Sequence, residues 1–412
     1  LMITNSETII IGAGLAGLAC AVTLEKNGKD FLLIEKSEKV GGRVKTDQSN
    51  GFLFDHGFQV LNPGYRQAKS LLDLEKLNLN YFDAGFAIRD GKTLRTIKDP
   101  FRHPANLLST LKELPGSFGE KLNFAKYLSK VLATPQAIRL KRTDISSRAA
   151  LVAAGVDGEL LNKVLKPFLS GVFLESKLET SRLFLDEVLA SFFSGTPALP
   201  AQGMGAISEQ LASNVSPSKI LFNQEVLKIA PRMVTTKNGK FAAKNIVLAT
   251  DLQVATKLLG LAEQKVHKVK TWYLVADQDK SEILSGEKLL VTDASPSAPL
   301  VNSLVISNIA PSYAPPNTAL VSASAIGEYV KLDKKSLLNA LANLYQLPTQ
   351  EWEPVAEYEI FNALPAMYSP FNPTRNIKVA DGLYAAGDHR NFSSIQGALD
   401  SGVRAAKALL SR

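Results

Sequence analysis

Three glycines near the start of the chain have the spacing of a phosphate-binding turn. Gly12, Gly14 and Gly17 follow a β-branched apolar run, and a helix-forming segment begins at Leu15-Ala16. In such a turn the first glycine permits the tight bend, the second lets a pyrophosphate approach the backbone, and the third lets helix and strand pack closely. The free N–H groups at the start of the helix attract an anion. The spacing predicts a dinucleotide site, and a glycine-rich turn without a ligand is the alternative.

A carboxylate follows at the position where a ribose would lie. Glu35 ends a second apolar run, Phe31 to Ile34, and is followed by Lys36. A carboxylate there accepts hydrogen bonds from a ribose diol and disfavours a 2′-phosphate. An NAD-dependent dehydrogenase would need only these features, so other motifs must decide between cofactors.

A second glycine pair comes soon after the acid. Gly41, Gly42 and Arg43 stand in the run Val-Gly-Gly-Arg-Val-Lys-Thr. Arginine has a planar fork that suits phosphate oxygens. A solvated surface charge is the alternative interpretation of this arginine.

A third motif lies near the other end of the chain. Gly387 and Asp388 end the strand-like run that begins at Gly382, and a helix-forming segment comes next. The candidate cofactor-binding residues at the start of that segment are Ser394, Ile395, Gln396 and Ala398.

Taken in order, the three motifs resemble those of the flavin amine oxidase superfamily, which includes amine oxidases, carotenoid desaturases and protoporphyrinogen oxidases. The resemblance implies FAD. Amine oxidases of the monoamine type attach it to a cysteine, but the single Cys20 lies in the first helix, so binding without a covalent link is expected. It implies that Gly42 and Arg43 lie against the pyrophosphate and ribityl chain, with Gly387 and Asp388 near the ribityl phosphate. The N–H groups around Ile395 and Gln396 would then face the flavin ring edge. By the same resemblance Val226 is a backbone contact to the adenine, and a core valine is the alternative.

The resemblance also indicates where a reaction would occur. It places the segment Phe54 to Gln59 beside the flavin ring, so His56 and Gln59 are catalytic candidates, together with Tyr368 from an Ala-Leu-Pro-x-x-Tyr run. Histidine can move protons near neutral pH. Structural roles remain the alternative for His56 and Tyr368, and Gln59 lacks the charge that protoporphyrinogen oxidases commonly carry there.

These features predict an FAD-dependent oxidoreductase that transfers a hydride from an apolar or amine-bearing carbon to flavin N5. Dioxygen or another acceptor would reoxidise the flavin. Ser394 stands where monoamine-type oxidases have an aromatic residue, so the desaturase or protoporphyrinogen-oxidase-like branch is favoured. A flavin amine oxidase that produces hydrogen peroxide is one alternative. A non-catalytic flavin-binding carrier protein is another.

Composition excludes several other classes of protein. The chain has 412 residues, of which 45% are hydrophobic and 21% charged, so it is neither disordered nor fibrous. Its net charge of +8 fits an anionic ligand or membrane surface but does not call for nucleic acid. The single Cys20 excludes a disulfide framework, and the four histidines show no metal-ligand spacing.

The elements that position these residues form a βαβ unit at the start of the chain, which predicts an α/β fold with a parallel sheet. We expect a Rossmann-like FAD-binding domain made of residues 1–85, 205–260 and 370–412. An interleaved α+β substrate domain would take residues 86–204 and 261–369. Residues 65–77 are predicted to be a helix. The lysine-rich, helix-patterned segment 104–142 is interpreted as a helix pair with a solvated basic face or as a membrane-surface patch. A cytoplasmic location is expected, with peripheral membrane contact left open.

Overall fold

The computed structural model describes residues 3–98 and 112–411. The first part of the basic segment, residues 104–111, lies outside the described residues. The strands are β1 (Ile3–Ile11), β2 (Phe31–Ile34), β3 (Thr46–Ser49), β4 (Phe52–Asp55), β5 (Leu79–Tyr81), β6 (Gly85–Asp90), β7 (Thr93–Lys98), β8 (Ala198–Pro200), β9 (Ile220–Leu221), β10 (Val226–Ala230), β11 (Met233–Thr236), β12 (Lys240–Leu248), β13 (Val266–Ala276), β14 (Val291–Asp293), β15 (Asn302–Val305), β16 (Ala319–Ile326), β17 (Glu353–Pro365), β18 (Lys378–Ala380) and β19 (Leu383–Ala385).

Helices alternate with these strands. The α-helices are α1 (Leu15–Lys26), α2 (Arg66–Leu71), α3 (Phe118–Ala133), α4 (Gln136–Arg139), α5 (Ser147–Ala153), α6 (Lys166–Phe173), α7 (Arg182–Ser194), α8 (Gly205–Ser213), α9 (Leu252–Leu258), α10 (Ile306–Ile309), α11 (Lys334–Tyr345) and α12 (Ile395–Leu410). A π-helical turn, Leu160–Leu165, leads directly into α6. Short 3₁₀ segments cover Pro217–Lys219, Ile283–Gly286, Pro311–Tyr313, Gly327–Lys331 and Asp388–Arg390.

The first sheet has eight strands and is built around β1. Strands β12 and β2 flank β1 and run parallel to it, β9 continues beyond β2, and β19 pairs parallel with β12. Ile9 and Ile10 of β1 are completely buried, as expected for a parallel strand covered on both faces. The expected α/β fold with a parallel sheet is confirmed.

The second sheet has seven strands in the order β17-β13-β16-β15-β14-β6-β7. Most of its pairs are antiparallel, and the β14–β6 pair is parallel. Strand β16 is buried along its whole length. Helices α3, α6 and α7 lie in the long chain segment that separates β6 and β7 from the other strands of this sheet.

Helix α12 packs against α1 at a point where both backbones come close. A Cβ on Gly402 would lie 2.1 Å from the carbonyl oxygen of Ala16, so only glycine fits there. The last helix of the chain is thereby held over the first βαβ unit. The motifs at the two ends of the sequence consequently lie on neighbouring helices.

The helix predicted over residues 65–77 is shorter in the structure, where α2 ends at Leu71. Leu72 adopts an extended conformation and is buried in the core. The next backbone N–H, that of Asp73, donates to Gln210 Oε1 at 2.9 Å. Tertiary contacts of this kind override local helix propensity.

Candidate functional site

The glycines of the first motif form a cradle in which side chains would collide. Gly12 has a φ of +101°, and a Cβ there would lie 2.8 Å from the carbonyl oxygen of Ala249. A Cβ on Gly17 would lie 1.9 Å from the carbonyl oxygen of Gly12. At Gly14, by contrast, the nearest atom to a Cβ is Gly42 Cα at 3.8 Å. Gly14 therefore borders open space, which is what a pyrophosphate needs.

The start of α1 faces that space. Gly14 is the N-cap, and because it has no side chain, nothing caps the N–H groups of the first turn from this position. Leu15 and Ala16 line the same cavity. Gly41 pairs with Gly14 as a parallel bridge and donates its N–H to the carbonyl oxygen of Ala13 at 2.9 Å. The two glycine motifs thus lie side by side around a helix N-terminus suited to an anion.

Glu35 supports the first turn and also faces the cavity. Its Oε2 accepts from the Ala13 N–H at 2.8 Å, and its Oε1 accepts from the Ser37 N–H at 3.0 Å. The side chain is buried, and Lys36 lines the cavity beside it. Each carboxylate oxygen can accept a second hydrogen bond, so these contacts leave room for a ribose diol.

Arg43 lines the cavity and is held there by two protein partners. Its Nη2 donates to Asp388 Oδ1 at 2.7 Å, and its Nη1 donates to the carbonyl oxygen of Ala363 at 2.9 Å. Both terminal nitrogens therefore have protein partners. Arg43 ties three segments of the cavity wall together, and it lines the cavity with N–H groups to spare, since each terminal nitrogen carries two.

The C-terminal motif supplies a second helix start. Ser394 is the N-cap of α12, and its Oγ accepts from the Gly397 N–H at 3.0 Å. The backbone N–H of Gly387 donates to Ser401 Oγ at 2.8 Å. The residues of this motif that line the cavity are Gly387, Asp388, Ser394, Ile395, Gln396 and Ala398.

These motifs border a cavity of about 1980 Å³. Sites for drug-sized ligands occupy roughly 300–1000 Å³, so this cavity has room for a dinucleotide and a second molecule. Val226 and Glu35 line one end of it. We call the other end the apolar chamber, and the side chains that define it are Leu128, Leu160, Val164, Leu165, Phe168, Leu169, Val172, Leu189, Phe192 and Phe193.

One buried carboxylate holds the helices of the apolar chamber in place. Glu120 on α3 accepts from the backbone N–H groups of Gly158, Leu160 and Leu161 at 2.7, 3.1 and 3.2 Å. These are orphan donors at the start of the π-helical turn, and a carboxylate is the favoured partner for them. α3 is thus fixed to the chain that supplies the opposite wall.

Of the catalytic candidates, His56 and Gln59 line the cavity. His56 Nε2 lies 2.9 Å from Asp47 Oδ2, and the His56 ring lies 4.5 Å from that of Tyr358. The Tyr358 hydroxyl donates to the same Asp47 oxygen at 2.9 Å. Gln59 Nε2 donates to the carbonyl oxygen of Arg43 at 3.0 Å, while its buried Oε1 has no partner among the described residues.

A buried acid anchors the strand end that precedes these two candidates. Asp55 Oδ1 accepts from Thr46 Oγ1 at 2.5 Å and from the Met204 N–H at 2.9 Å, and its Oδ2 accepts from the Tyr313 hydroxyl at 2.8 Å. The Tyr273 hydroxyl donates to the Asp55 carbonyl oxygen at 3.0 Å. Burial raises the pKa of Asp55. These hydrogen bonds hold the end of β4 in place, directly before the loop that carries His56 and Gln59.

Tyr368 is not brought to the cavity. Its ring lies edge-on to His267, 5.8 Å away, and Lys265 Nζ lies 4.8 Å from its centroid. Its backbone forms a bridge with Thr180. Tyr368 is not among the residues that line the cavity, so the structure does not bring it together with His56 and Gln59. Gly17 also lies behind the wall, where it serves helix packing.

Several polar residues of the cavity carried no recognisable signal in the sequence. They come from loops and strands remote from the motifs, and only the fold brings them together. They are Asn62, Tyr65, Gln224, Thr250, Asp251, Asn302 and Ser324.

Within residues 3–98 and 112–411, no cluster of three or more His, Cys, Asp or Glu side chains could hold a metal ion. In the same residues, no helix is long and apolar enough to cross a membrane.

Comparison with known proteins finds oxidases and oxygenases among the relatives of this chain. The chain is 26% identical to an L-amino-acid oxidase from Notechis scutatus scutatus over 293 residues, which is 64% of this chain and 55% of that protein. It is 31% identical to a 4,4′-diapolycopene oxygenase from Methylomonas sp over 170 residues, which is 37% of this chain and 29% of that protein. The chain spans about half the length of the L-amino-acid oxidases it matches.

The fold is shared with an oxidoreductase from Methanosarcina mazei, with a TM-score of 0.76 at 19% identity over 98% of this chain and 100% of that one. At that identity the likeness concerns the fold alone. The sequence model of the flavin-containing amine oxidoreductases matches residues 15–410, nearly the whole chain. The glycine cradle, the ribose-facing acid and the two helix starts fit the flavin dinucleotide that this match implies, and the chain belongs to the flavin-containing amine oxidoreductase family.

Proposed function

We propose that this protein is an FAD-dependent oxidoreductase that removes a hydride equivalent from an apolar or amine-bearing carbon, in the manner of desaturases and protoporphyrinogen oxidases. One observation carries the proposal: the dinucleotide motifs and the apolar chamber border one continuous cavity. When bound, the flavin supplies an acceptor for two electrons. A second ligand in the chamber would lie directly beside it.

The dinucleotide would be held by the residues of the three motifs and by Val226, with residues 1–85, 205–260 and 370–412 as the FAD-binding domain. Residues 86–204 and 261–369 would form the substrate domain. Non-covalent binding is supported by Cys20, which is fully buried in α1. Burial raises the pKa of the Cys20 thiol to about 12, so a reactive thiolate is disfavoured.

The chain's own groups would position the substrate and exclude water. The aromatic and aliphatic walls of the apolar chamber bind an apolar ligand and lower the local dielectric. His56 is a candidate for holding a proton released by the substrate, because Asp47 orients its ring through Nε2. Gln59 offers its free Oε1 as a hydrogen-bond acceptor at the cavity wall.

The electron acceptor is proposed to be dioxygen or another small oxidant. Peripheral contact with a membrane is proposed for α3, which lines the chamber with Leu128 and exposes apolar side chains on another face. Phe118 and Leu122 of α3 are 76% and 44% exposed. Lys126 and Lys130 are exposed on the same helix, which suits an anionic lipid surface.

The test is the visible spectrum of the purified protein, followed by anaerobic titration with an amine, a carotene and a porphyrinogen. The panel includes amines and polyenes because the relatives include L-amino-acid oxidases and a diapolycopene oxygenase. Flavin absorption that one substrate class bleaches supports the proposal. Flavin absorption that nothing bleaches favours a carrier protein. A colourless protein that FAD does not reconstitute contradicts the cofactor assignment.

A variant separates the chamber from the dinucleotide site. Val172 lines the apolar chamber on α6. Val172→Trp should fill the chamber, so that the protein keeps its flavin and loses reduction by the substrate. If the substrate still reduces the flavin of Val172→Trp as it does in the parent protein, the apolar chamber is not the substrate site.

A further inference from the structure

We propose that the substrate of the apolar chamber carries a hydroxyl or N–H group and that Asn302 recognises this group. The inference rests on the proposed function and narrows it, because a pure hydrocarbon would leave Asn302 without a partner. It is carried by a buried, unpartnered amide that borders the cavity.

Asn302 is the first residue of β15 and is 6% exposed. It lines the cavity, and its Oδ1 has no hydrogen-bond partner in the part of the chain that the structure describes. A buried side-chain oxygen without a partner is costly and uncommon in folded proteins. Oδ1 is itself covered, so a half-turn of the amide group toward the adjoining cavity would let a ligand supply the missing bond.

The residues beside Asn302 on this wall are either apolar or already hydrogen-bonded. Ser324 lies opposite it on β16, but the Ser324 hydroxyl is already hydrogen-bonded to Thr271 Oγ1 at 2.9 Å. Val269 and Ile360 line the cavity from the same sheet with apolar side chains. Asn362 of β17 also lines the cavity, but the unpartnered buried amide oxygen on this sheet's wall belongs to Asn302. A polar group beside apolar side chains fixes the orientation of a ligand.

A glycine lets α6 pack closely against this amide. A Cβ on Gly171 of α6 would lie 3.2 Å from Asn302 Nδ2, tighter than ordinary contact. Phe168 and Val172 of the same helix line the apolar chamber. Asn302 thus faces the chamber, whereas the dinucleotide motifs belong to the first sheet and its helices. We therefore assign the Asn302 amide a role in binding the substrate, and not the flavin.

The chemistry of the amide defines the group it would bind. An asparagine side chain accepts through Oδ1 and donates through Nδ2. A hydroxyl complements both atoms, and an amine or amide N–H complements the oxygen. The substrate is accordingly an apolar molecule with one such group placed several bonds from the carbon that is oxidised.

The experiment compares two probes of nearly the same shape, 2-naphthalenemethanol and 2-methylnaphthalene, which differ in the hydroxyl. Each is titrated into the flavin-loaded protein, and binding is followed by naphthalene fluorescence and by the visible flavin spectrum. Asn302→Leu should reduce the affinity for the alcohol relative to the hydrocarbon by about tenfold, as expected for one buried hydrogen bond. Asn302→Ser serves as a second variant should the leucine variant fold poorly.

Thr292 provides a matched control. Its hydroxyl is also buried without a partner among the described residues, but Thr292 lies on β14 and does not line the cavity. Thr292→Val should leave the ratio of the two affinities unchanged. Without a probe, Asn302→Leu should melt no lower than the parent protein, because an unsatisfied polar group is removed.

Three results would overturn the inference. The first is an unchanged affinity ratio in Asn302→Leu, and the second is the same change in Thr292→Val. The third is a flavin-loaded protein that binds neither probe. All three are measured on protein that retains its flavin. Reduction of that flavin by substrate is measured separately, so failure of this inference can be distinguished from failure of the proposed function.

Discussion

Arg43 and Asp388 are 345 residues apart in the sequence, and Arg43 Nη2 lies 2.7 Å from Asp388 Oδ1. The same guanidinium donates to the carbonyl oxygen of Ala363 at the end of β17. One side chain therefore joins the second glycine motif, the C-terminal motif and the second sheet. The wall between the dinucleotide end of the cavity and the second sheet depends on this contact.

Breaking this ion pair should weaken both the fold and the cofactor site. Asp388→Asn removes the charge opposite a largely buried guanidinium, so we expect the free energy of unfolding to fall by about 1–3 kcal/mol. Urea denaturation measures this change, and flavin release should occur at lower urea. The control is Asp73→Asn, which breaks an exposed pair with Lys76 and should cost less than about 1 kcal/mol. Equal losses in the two variants would contradict a special role for Asp388.

Gly14 should tolerate a methyl group in the folded chain but not with a dinucleotide present. A Cβ there meets Gly42 Cα at 3.8 Å, an ordinary contact distance. Gly14→Ala should therefore melt near the parent temperature without cofactor and bind FAD at least about tenfold more weakly, as the pyrophosphate approaches this backbone. Titration of apoprotein with FAD measures the affinity.

Gly17→Ala is the informative comparison, because its Cβ would overlap the Gly12 carbonyl oxygen at 1.9 Å. That variant should lose stability with or without cofactor. Full FAD affinity in Gly14→Ala would remove the pyrophosphate assignment.

Glu120 should be critical for the walls of the apolar chamber. Glu120→Ala leaves the buried N–H groups of Gly158, Leu160 and Leu161 without their carboxylate, and we expect a loss of about 3 kcal/mol in the free energy of unfolding. Chemical denaturation gives the value. Glu159→Ala, on the exposed side of the same turn, should change stability by less than about 0.5 kcal/mol. A small effect at both positions would mean that the chamber walls do not depend on Glu120.

His389 should make the protein sensitive to mild acid. Burial lowers its pKa to about 4, with Asp388 opposing the shift and nearby arginines such as Arg390 adding to it. Between the unfolded pKa of about 6.5 and this value, the unfolded chain binds a proton that the folded chain does not, so stability falls as pH falls. Between pH 7.5 and pH 5, the free energy of unfolding of His389→Leu should therefore fall by about 2 kcal/mol less than that of the parent protein. Parallel stability curves for the two proteins over that range would contradict this expectation.

Much of the dinucleotide end of the site could be predicted from the sequence, because its chemistry depends on the backbone. The turn at Gly12, the acid at Glu35 and the helix starts at Leu15 and Ile395 are local features with fixed spacing. Their positions on a strand, a turn and a helix follow from short-range sterics and hydrogen bonding.

Predictions about side-chain roles were less secure. The sequence did not indicate that Arg43 pairs with Asp388 and Ala363, or that Tyr368 packs beside His267 and does not line the cavity. Side-chain partners depend on which distant segments meet. Such contacts follow from packing and not from local spacing.

The sequence by itself determined the βαβ dinucleotide motif and the α/β fold, since these follow from the spacing of glycines, acids and apolar runs. The flavin family was identified by the resemblance of the three motifs, and the family match over residues 15–410 shows it. Only the tertiary structure decided that the motifs share one cavity with an apolar chamber, and that Asn302 borders it with a free amide. The chamber is built from helices and strands far apart in the chain. Their faces meet because burial of apolar surface acts between segments regardless of their separation in sequence.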